Sequence, residues 1–236
     1  MGYLHNGVET TGVPLKMIKK IIKGFNVPYF IETGTAGAYS IVEASEYFKT
    51  CHTIELIEGR TPTHKEEIVY DKDVIDEESG EVIKKADPTI ADHVFTEIKY
   101  PENITFHVGD STDILPKINK EVSDNYAVYW LDAHYSDPDP SPDGCIECPI
   151  VAELEAISDN KKSIIVIDDA RLFLGTPPPP LKPNEWVCIQ SLFIAIEHFF
   201  TNHHITIIDD YVVAVPMEMK DNLNSYWLET YKKRYK

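Results

Sequence analysis

Residues 28–48 read PYFIETGTAGAYSIVEASEYF: a compact apolar strand over Tyr29–Ile31, a glycine-bearing turn, and a helix that starts near Ala38 or Ser40. The same alternation continues outward. TCHTIELIEG (50–59) is a second strand over Cys51–Ile57, NITFHVGDS (103–111) a third and YAVYWLDAH (126–134) a fourth. Helices at DILPKIN (113–119) and Pro149–Ile157 separate the third, fourth and fifth strands, the last being SIIVIDDAR (163–171). Nearly continuous apolar strands alternating with helices build a parallel sheet covered on both faces. The closing stretch HITIIDDYVVAVP (204–216) holds two strands joined at Asp209–Asp210, too tightly for a crossover helix, so it forms an antiparallel hairpin at one side. The expected fold is α/β, a doubly wound, Rossmann-like, mostly parallel sheet of about seven strands ending in an antiparallel strand.

Around this frame, PLKMIKKIIKG (14–24) has apolar residues at helical spacing and a terminal glycine, a short amphipathic helix with its cap. Residues 60–100 lack clear strand alternation and are dense in Asp, Glu and Lys. They read as an insertion in a single domain spanning 1–236, carrying a small helix pair or a hairpin with its turn at EESGEV (77–82). GTPPPPLKPNEW (175–186) is a rigid proline-rich loop and VCIQSLFIAIEHFF (187–200) a strongly apolar helix. The terminal YKKRYK (231–236) reads as a frayed, solvated tail.

In open α/β sheets, ligands lie beyond the carboxyl ends of the strands. Here those ends carry Glu32, Glu55, Asp110, Asp132 with His134, and Asp168 with Asp169. Each alone could be a turn or helix-cap residue; together they outline one acidic edge. The turn ETGTAG (32–37) supplies Gly34 and Gly37 but begins with Glu32, so it is not a full dinucleotide fingerprint. A carboxylate beside a helix N-terminus disfavours a pyrophosphate and suits a cofactor with a cationic part. Glu55, at the end of the next strand, can accept hydrogen bonds from a ribose diol. A nucleoside with an amino-acid tail fits both.

The order FIETGTAGAYS, HTIEL, ITFHVGDS, YWLDAH and IIVIDDAR resembles the class I S-adenosylmethionine-dependent methyltransferases over about residues 27–216. It is most similar to small-molecule and sugar O-methyltransferases of the macrocin and cephalosporin-biosynthesis type, and more distantly to the catechol type. The resemblance implies that S-adenosylmethionine binds against Glu32, Gly34, Thr35, Gly37 and Ser40, with Glu55 on the ribose, Asp110 and Ser111 by the adenine, and Asp132 facing the transferred methyl. It also implies a divalent metal, Mg²⁺, on Asp132, Asp168 and Asp169, which suits a hard all-oxygen site. The catechol type has Asn where this chain has Asp169. His134 is the natural general base, with Asp132 as the base if no metal binds. Asp137, Asp139 and Asp143 belong to a substrate-facing or solvated loop, and Phe173, Trp186 and Tyr135 could wall an acceptor pocket. The acceptor implied is a hydroxylated small molecule or glycan. The alternatives are a metal-independent N- or protein methyltransferase and a non-catalytic Rossmann-like binding protein.

Composition bounds the partners. Hydrophobic residues make up 43% of the 236, a globular content. The formal net charge of −17 repels phosphate backbones and anionic bilayers, which disfavours nucleic-acid and membrane partners. No apolar run approaches the ~18 residues of a membrane span. Cys51, Cys145, Cys148 and Cys188 are too sparse for a disulfide scaffold, and a cytoplasmic, reducing location is expected. CIEC (145–148) has a zinc-like spacing, but its thiol partners would be Cys51 in a strand and Cys188 in a helix, so Cys148–Pro149 reads as a helix start. Homo-oligomers are common in the resembled group.

Overall fold

The computed structural model describes residues 4–5, 8–9, 12–70, 74–75, 82–84, 91–122, 124–134 and 145–234. Tyr135, Asp137, Asp139, Asp143 and the last two residues of the basic tail lie outside the described residues, as does most of the EESGEV turn. Two compact units emerge, one of residues 1–60 with 101–236 and one of residues 61–100.

In chain order the elements are β1 (Leu4–His5), β2 (Val8–Glu9), α1 (Leu15–Ile21), β3 (Tyr29–Thr33), α2 (Tyr39–Ser45) and β4 (Thr50–Glu55). The smaller unit holds β5 (His64–Tyr70), β6 (Val74–Ile75), β7 (Val82–Lys84) and β8 (Ala91–Glu97). Then come β9 (Ile104–Val108), α3 (Ser111–Val122), β10 (Ala127–Leu131), α4 (Ile150–Ala156), β11 (Ser163–Ile167), α5 (Ala170–Phe173) and α6 (Ile189–Phe199). The chain closes with β12 (His203–Ile208), β13 (Tyr211–Pro216) and α7 (Lys220–Arg234).

Seven strands form one sheet in the order β12-β13-β11-β10-β3-β4-β9. The five from β11 to β9 are parallel, and β13 and β12 are added antiparallel. This is a doubly wound, Rossmann-like sheet. The chain order reverses between β3 and β10, so the crevice for a ligand opens beyond those two strand ends. β10, β11 and β13 are buried along their whole length, which is why they read as unbroken apolar runs rather than alternating ones. Alternate positions Ile31, Ile54, Tyr129, Leu131, Ile165, Ile167, Val212 and Ala214 pack on Leu115, Ile118, Leu154, Leu192 and Ile196 from α3, α4 and α6. The intervening positions, Phe30, Val128, Trp130, Ile164, Val166 and Val213, are buried as well. Both faces are therefore covered.

Of three local expectations, one is decided between its alternatives and two are corrected. Residues 61–100 hold the hairpin and no described helix: β6 pairs with β7 as a hairpin, and β5 with β8 over seven register positions. Dense charge masked the strand alternation there. The C-terminal segment is not a frayed tail up to Arg234 but the 15-residue helix α7. It packs beside α1, where the Asn222 amide donates to the carbonyls of Ile21 and Lys23 at 2.9 Å each. A helix with no regular apolar stripe escapes a periodicity reading. The second correction concerns α3, which is longer than DILPKIN and carries Pro116 inside it.

Candidate functional site

β3 ends at Thr33, and the Gly34 and Thr35 amides both turn back onto the Ile54 carbonyl, at 2.9 and 3.3 Å. Gly34 has φ +86°, and a Cβ there would lie 2.3 Å from the Asp132 carbonyl oxygen. The glycine is thus required where the ends of β3 and β10 touch. Ala36 and Ala38 take up the remaining left-handed turns, at φ 41° and 60°. Gly37 does not use a left-handed conformation; a Cβ there would strike the Tyr39 ring.

Beneath the turn, the Thr53 hydroxyl donates to Glu32 Oε2 at 2.6 Å and lies 2.6 Å from the Thr35 hydroxyl. Glu32 is wholly buried, and burial pushes its carboxyl up to about 8 against the pull of Thr53, with Asp132 and Glu55 adding to the rise. Glu55 accepts from the Ala36 amide at 2.9 Å through Oε2 and from the Ile57 amide at 3.2 Å through Oε1. The second strand end is thereby tied to the glycine turn.

One cavity of about 280 Å³ opens at this edge, lined among others by Gly34, Glu55, Asp110, Ser111, Asp132 and His134. Its volume is at the small end of ligand clefts. Leu56, Ile57, Arg60, Cys145, Ile146 and Pro149 also line it. Asp110 also caps α3, accepting from the Thr112 amide at 2.8 Å and its hydroxyl at 2.7 Å. So the cap role and the pocket position coincide in one residue. Thr35, Gly37, Ser40, Asp168 and Asp169 do not line the cavity, and neither does the buried Glu32.

Past β10, His134 is held between two carboxylates, with Nε2 2.8 Å from Asp169 Oδ2 and Nδ1 3.4 Å from Asp132 Oδ1. Burial opposes charge on this ring, but the Asp169 hydrogen bond and the Asp132, Asp169 and Asp168 carboxylates outweigh it and raise its pKa. Asp132 is pushed well above the carboxylate range by burial and by Asp168, and Asp168 to about 6 by burial and Asp169. Asp169 goes the other way: burial is overcome by His134 and Arg171, which hold it below its usual value. Its Oδ1 meets Arg171, which also pairs with Asp210 from the β12–β13 turn. The expected Mg²⁺ ligands are therefore not assembled as a site. Asp169 is committed on both oxygens, and among the described residues no group of three His, Cys, Asp or Glu could hold a metal ion. The trio does not fit the ion in this arrangement.

Phe173 and Trp186, expected to face an acceptor, are instead core residues, 2% and 8% exposed. Trp186 packs edge-on to His134, with ring centroids 5.5 Å apart, and against Phe173. CIEC owes its place to the residue between its thiols. Buried Glu147 accepts from the Lys182 amide at 2.7 Å and faces the Trp186 indole N–H at 3.4 Å, locking this segment to the proline-rich loop. All four cysteines are free thiols.

Sequence reasoning missed Glu153, whose carboxyl lies in α4 beneath the site with Oε1 lacking any partner. Burial raises it to about 7 against hydrogen bonds from Ser111 and Thr33. Only its position on the buried face of α4 could have marked it. A carboxyl whose folded pKa exceeds its unfolded value takes up a proton on folding. Stability from Glu153 and Glu32 is thus complete below their ordinary value of 4.5 and is lost as pH rises through about 7 and about 8. Glu153→Gln is expected to flatten the fall of the denaturation midpoint between pH ~5 and ~8. Chemical denaturation across that range checks this; parallel curves for both proteins would refute it.

No protein-family model matches the chain, and no curated protein does. Among solved structures it is similar to human methyltransferase-like protein 13 in complex with SAH, at TM-score 0.44 and 10% identity over 89% of this chain and 84% of that one. It is similar also to a SAM-dependent methyltransferase from Anabaena variabilis, at 0.42 and 8% over 86% and 84%. A third likeness is to the methyltransferase domain of bacterial CtHen1, at 0.41 and 9% over 86% and 96%. Likeness at this level carries no function across, which must come from the site itself.

Proposed function

We propose that this protein is an S-adenosylmethionine-dependent O-methyltransferase acting on a hydroxyl of a small molecule, such as a sugar or glycan. The observation that carries the reading is a cavity at the switch point, lined jointly by Gly34, Glu55, Asp110–Ser111 and Asp132–His134. Glu55 is the ribose acceptor, and its two bonds to backbone amides keep it aimed at the pocket. Burial raises the proton affinity of Glu32, Asp132 and Asp168, and neighbouring carboxylates add to it, Asp132 on Glu32, Asp168 on Asp132 and Asp169 on Asp168, which favours a ligand bearing ammonium and sulfonium charge.

The cofactor, when bound, supplies an electrophilic methyl group. His134 does the proton work: the acceptor's O–H bond breaks and its proton moves to the ring as the oxygen becomes nucleophilic. Asp132 stands next to the ring and is the second candidate for this step. A metal-assisted version would require Asp169 to leave both His134 and Arg171. The arrangement favours the metal-free version, which also leaves N- or protein methylation as a second reading. Free thiols and the net charge of −17 support placing the protein in the cytoplasm with an acceptor that is not a nucleic acid. Among the described residues no helix is long and apolar enough to cross a membrane.

Calorimetric titration with S-adenosylhomocysteine, with and without EDTA and Mg²⁺, tests the reading. Micromolar or tighter binding is expected, weakened about 10–100-fold in Glu55→Ala by loss of hydrogen bonds to a charged acceptor. No binding in any condition would overturn the cofactor assignment and leave a non-catalytic binding fold.

A further inference from the structure

The carboxylate expected to bind metal has a different set of neighbours. Asp169 is the second residue after β11 and has φ 53°, a left-handed conformation, with its side chain on His134. Its other oxygen is taken by Arg171. Arg171 is itself fastened by Asp210, which accepts from both its guanidinium and its backbone amide, the latter at 2.9 Å. The Ala170 amide donates to the Asp210 carbonyl at 2.8 Å. β13 runs antiparallel to β11, so the β12–β13 turn is delivered to the carboxyl edge of the sheet. Nε2 of His134 thus faces a carboxylate that does not line the cavity, and Nδ1 faces Asp132, which does. Trp186 packs edge-on to the ring.

We propose that Asp169 is a positioning residue that holds His134 as its Nε2–H tautomer, with Arg171 and Asp210 fixing Asp169, and that it is not a metal ligand. The Nδ1 lone pair is then left on the side of the ring that faces Asp132 and the pocket lining, where the acceptor's proton is taken. An acceptor carboxylate behind a histidine base sets both tautomer and orientation. The inference rests on the reading of His134 as the proton acceptor, but its test does not.

The test is nitrogen-15 histidine spectroscopy of the whole protein at a pH where the ring is neutral, with the His134 signal assigned by its loss in His134→Gln. Wild type is expected to show Nε2–H. In Asp169→Asn the amide oxygen faces Arg171, so the amide NH₂ faces Nε2 and the ring flips to Nδ1–H. Asn tolerates the left-handed backbone, so the variant keeps its fold. In Asp169→Asn with Arg171→Met the amide is free to rotate and Nε2–H returns, a rescue that a merely structural role would not produce. A wild-type Nδ1–H ring, or an Asp169→Asn ring unchanged from wild type, would overturn the proposal. So would a His134 signal that shifts saturably with Mg²⁺ and stops doing so in Asp169→Asn. Titration of the same samples with S-adenosylhomocysteine separates the two readings: absent cofactor binding defeats the methyltransferase assignment and leaves the tautomer result standing.

Discussion

A Gly34→Ala protein is expected to melt about 10 °C below wild type, by the scaling of midpoint with stability for a chain of this size, and to lose the S-adenosylhomocysteine affinity that the proposed function gives the cleft. The new Cβ falls 2.3 Å from the Asp132 carbonyl oxygen and 2.9 Å from its carbon. Both are backbone atoms and cannot swing aside. They belong to adjacent parallel strands joined in register from Ala127↔Tyr29 to Leu131↔Thr33, so relief requires prying β3 from β10. Overpacking costs about 1–3 kcal/mol and the left-handed backbone a further ~1–2 kcal/mol for a residue with a side chain. That is a large part of the ~5–15 kcal/mol that holds a domain folded. Gly24→Ala isolates the clash, because Gly24 has φ +88° but nothing within 4 Å of an added Cβ. It pays the backbone term alone. Thermal unfolding of the two variants side by side is the measurement, and equal midpoints would show that the Asp132 contact has no consequence.

The second large effect is on turnover. His134→Gln is expected to lower kcat about 10²–10⁴-fold, the usual worth of general acid–base catalysis, while S-adenosylhomocysteine binds as in wild type. Gln keeps bulk beside Trp186 and can still donate to Asp169, but it has no basic nitrogen. The wild-type ring is a strengthened base because the Asp169 hydrogen bond and the surrounding carboxylates outweigh the effect of burial. Steady-state methyl transfer to a polyhydroxylated acceptor, paired with calorimetry, checks both halves. Undiminished kcat in the variant would transfer the proton to Asp132; weakened cofactor affinity would move His134 into the binding site proper.

Much of this was open to reading along the chain. The strand cores Tyr29–Thr33, Ala127–Leu131 and Ser163–Ile167 announce themselves because both sheet faces are covered and every position is apolar or small, apart from Glu32 and Thr33 at the end of β3. Glu32, Gly34, Glu55, Asp110, Asp132 and His134 follow from these, since a residue directly after a parallel strand must emerge at the carboxyl edge. Glu153 was not legible in this way. It lies on a helix, where a buried carboxylate is indistinguishable from an exposed one until the packing is known. Residues 61–100 left a helix pair and a hairpin both open for a related reason: cross-strand pairing, not local apolar alternation, makes β5 and β8 a ladder.

The sequence by itself determined the sheet, its final antiparallel hairpin and which residues crowd its carboxyl edge, because these depend on periodicity and chain order. What each of those residues is bonded to was decided only by tertiary structure. Asp168 and Asp169 are neighbours of one type, yet one carboxyl is raised by burial and its neighbour's charge while the other is held ionised by His134 and Arg171. The difference comes from the hydrogen bonds that His134 and Arg171 make to Asp169, and Arg171 is fastened by Asp210, some 40 residues further along and carried back to β11 by the hairpin turn. Hydrogen bonds and ion pairs act over a few ångströms through space, and no spacing along the chain records which partner arrives.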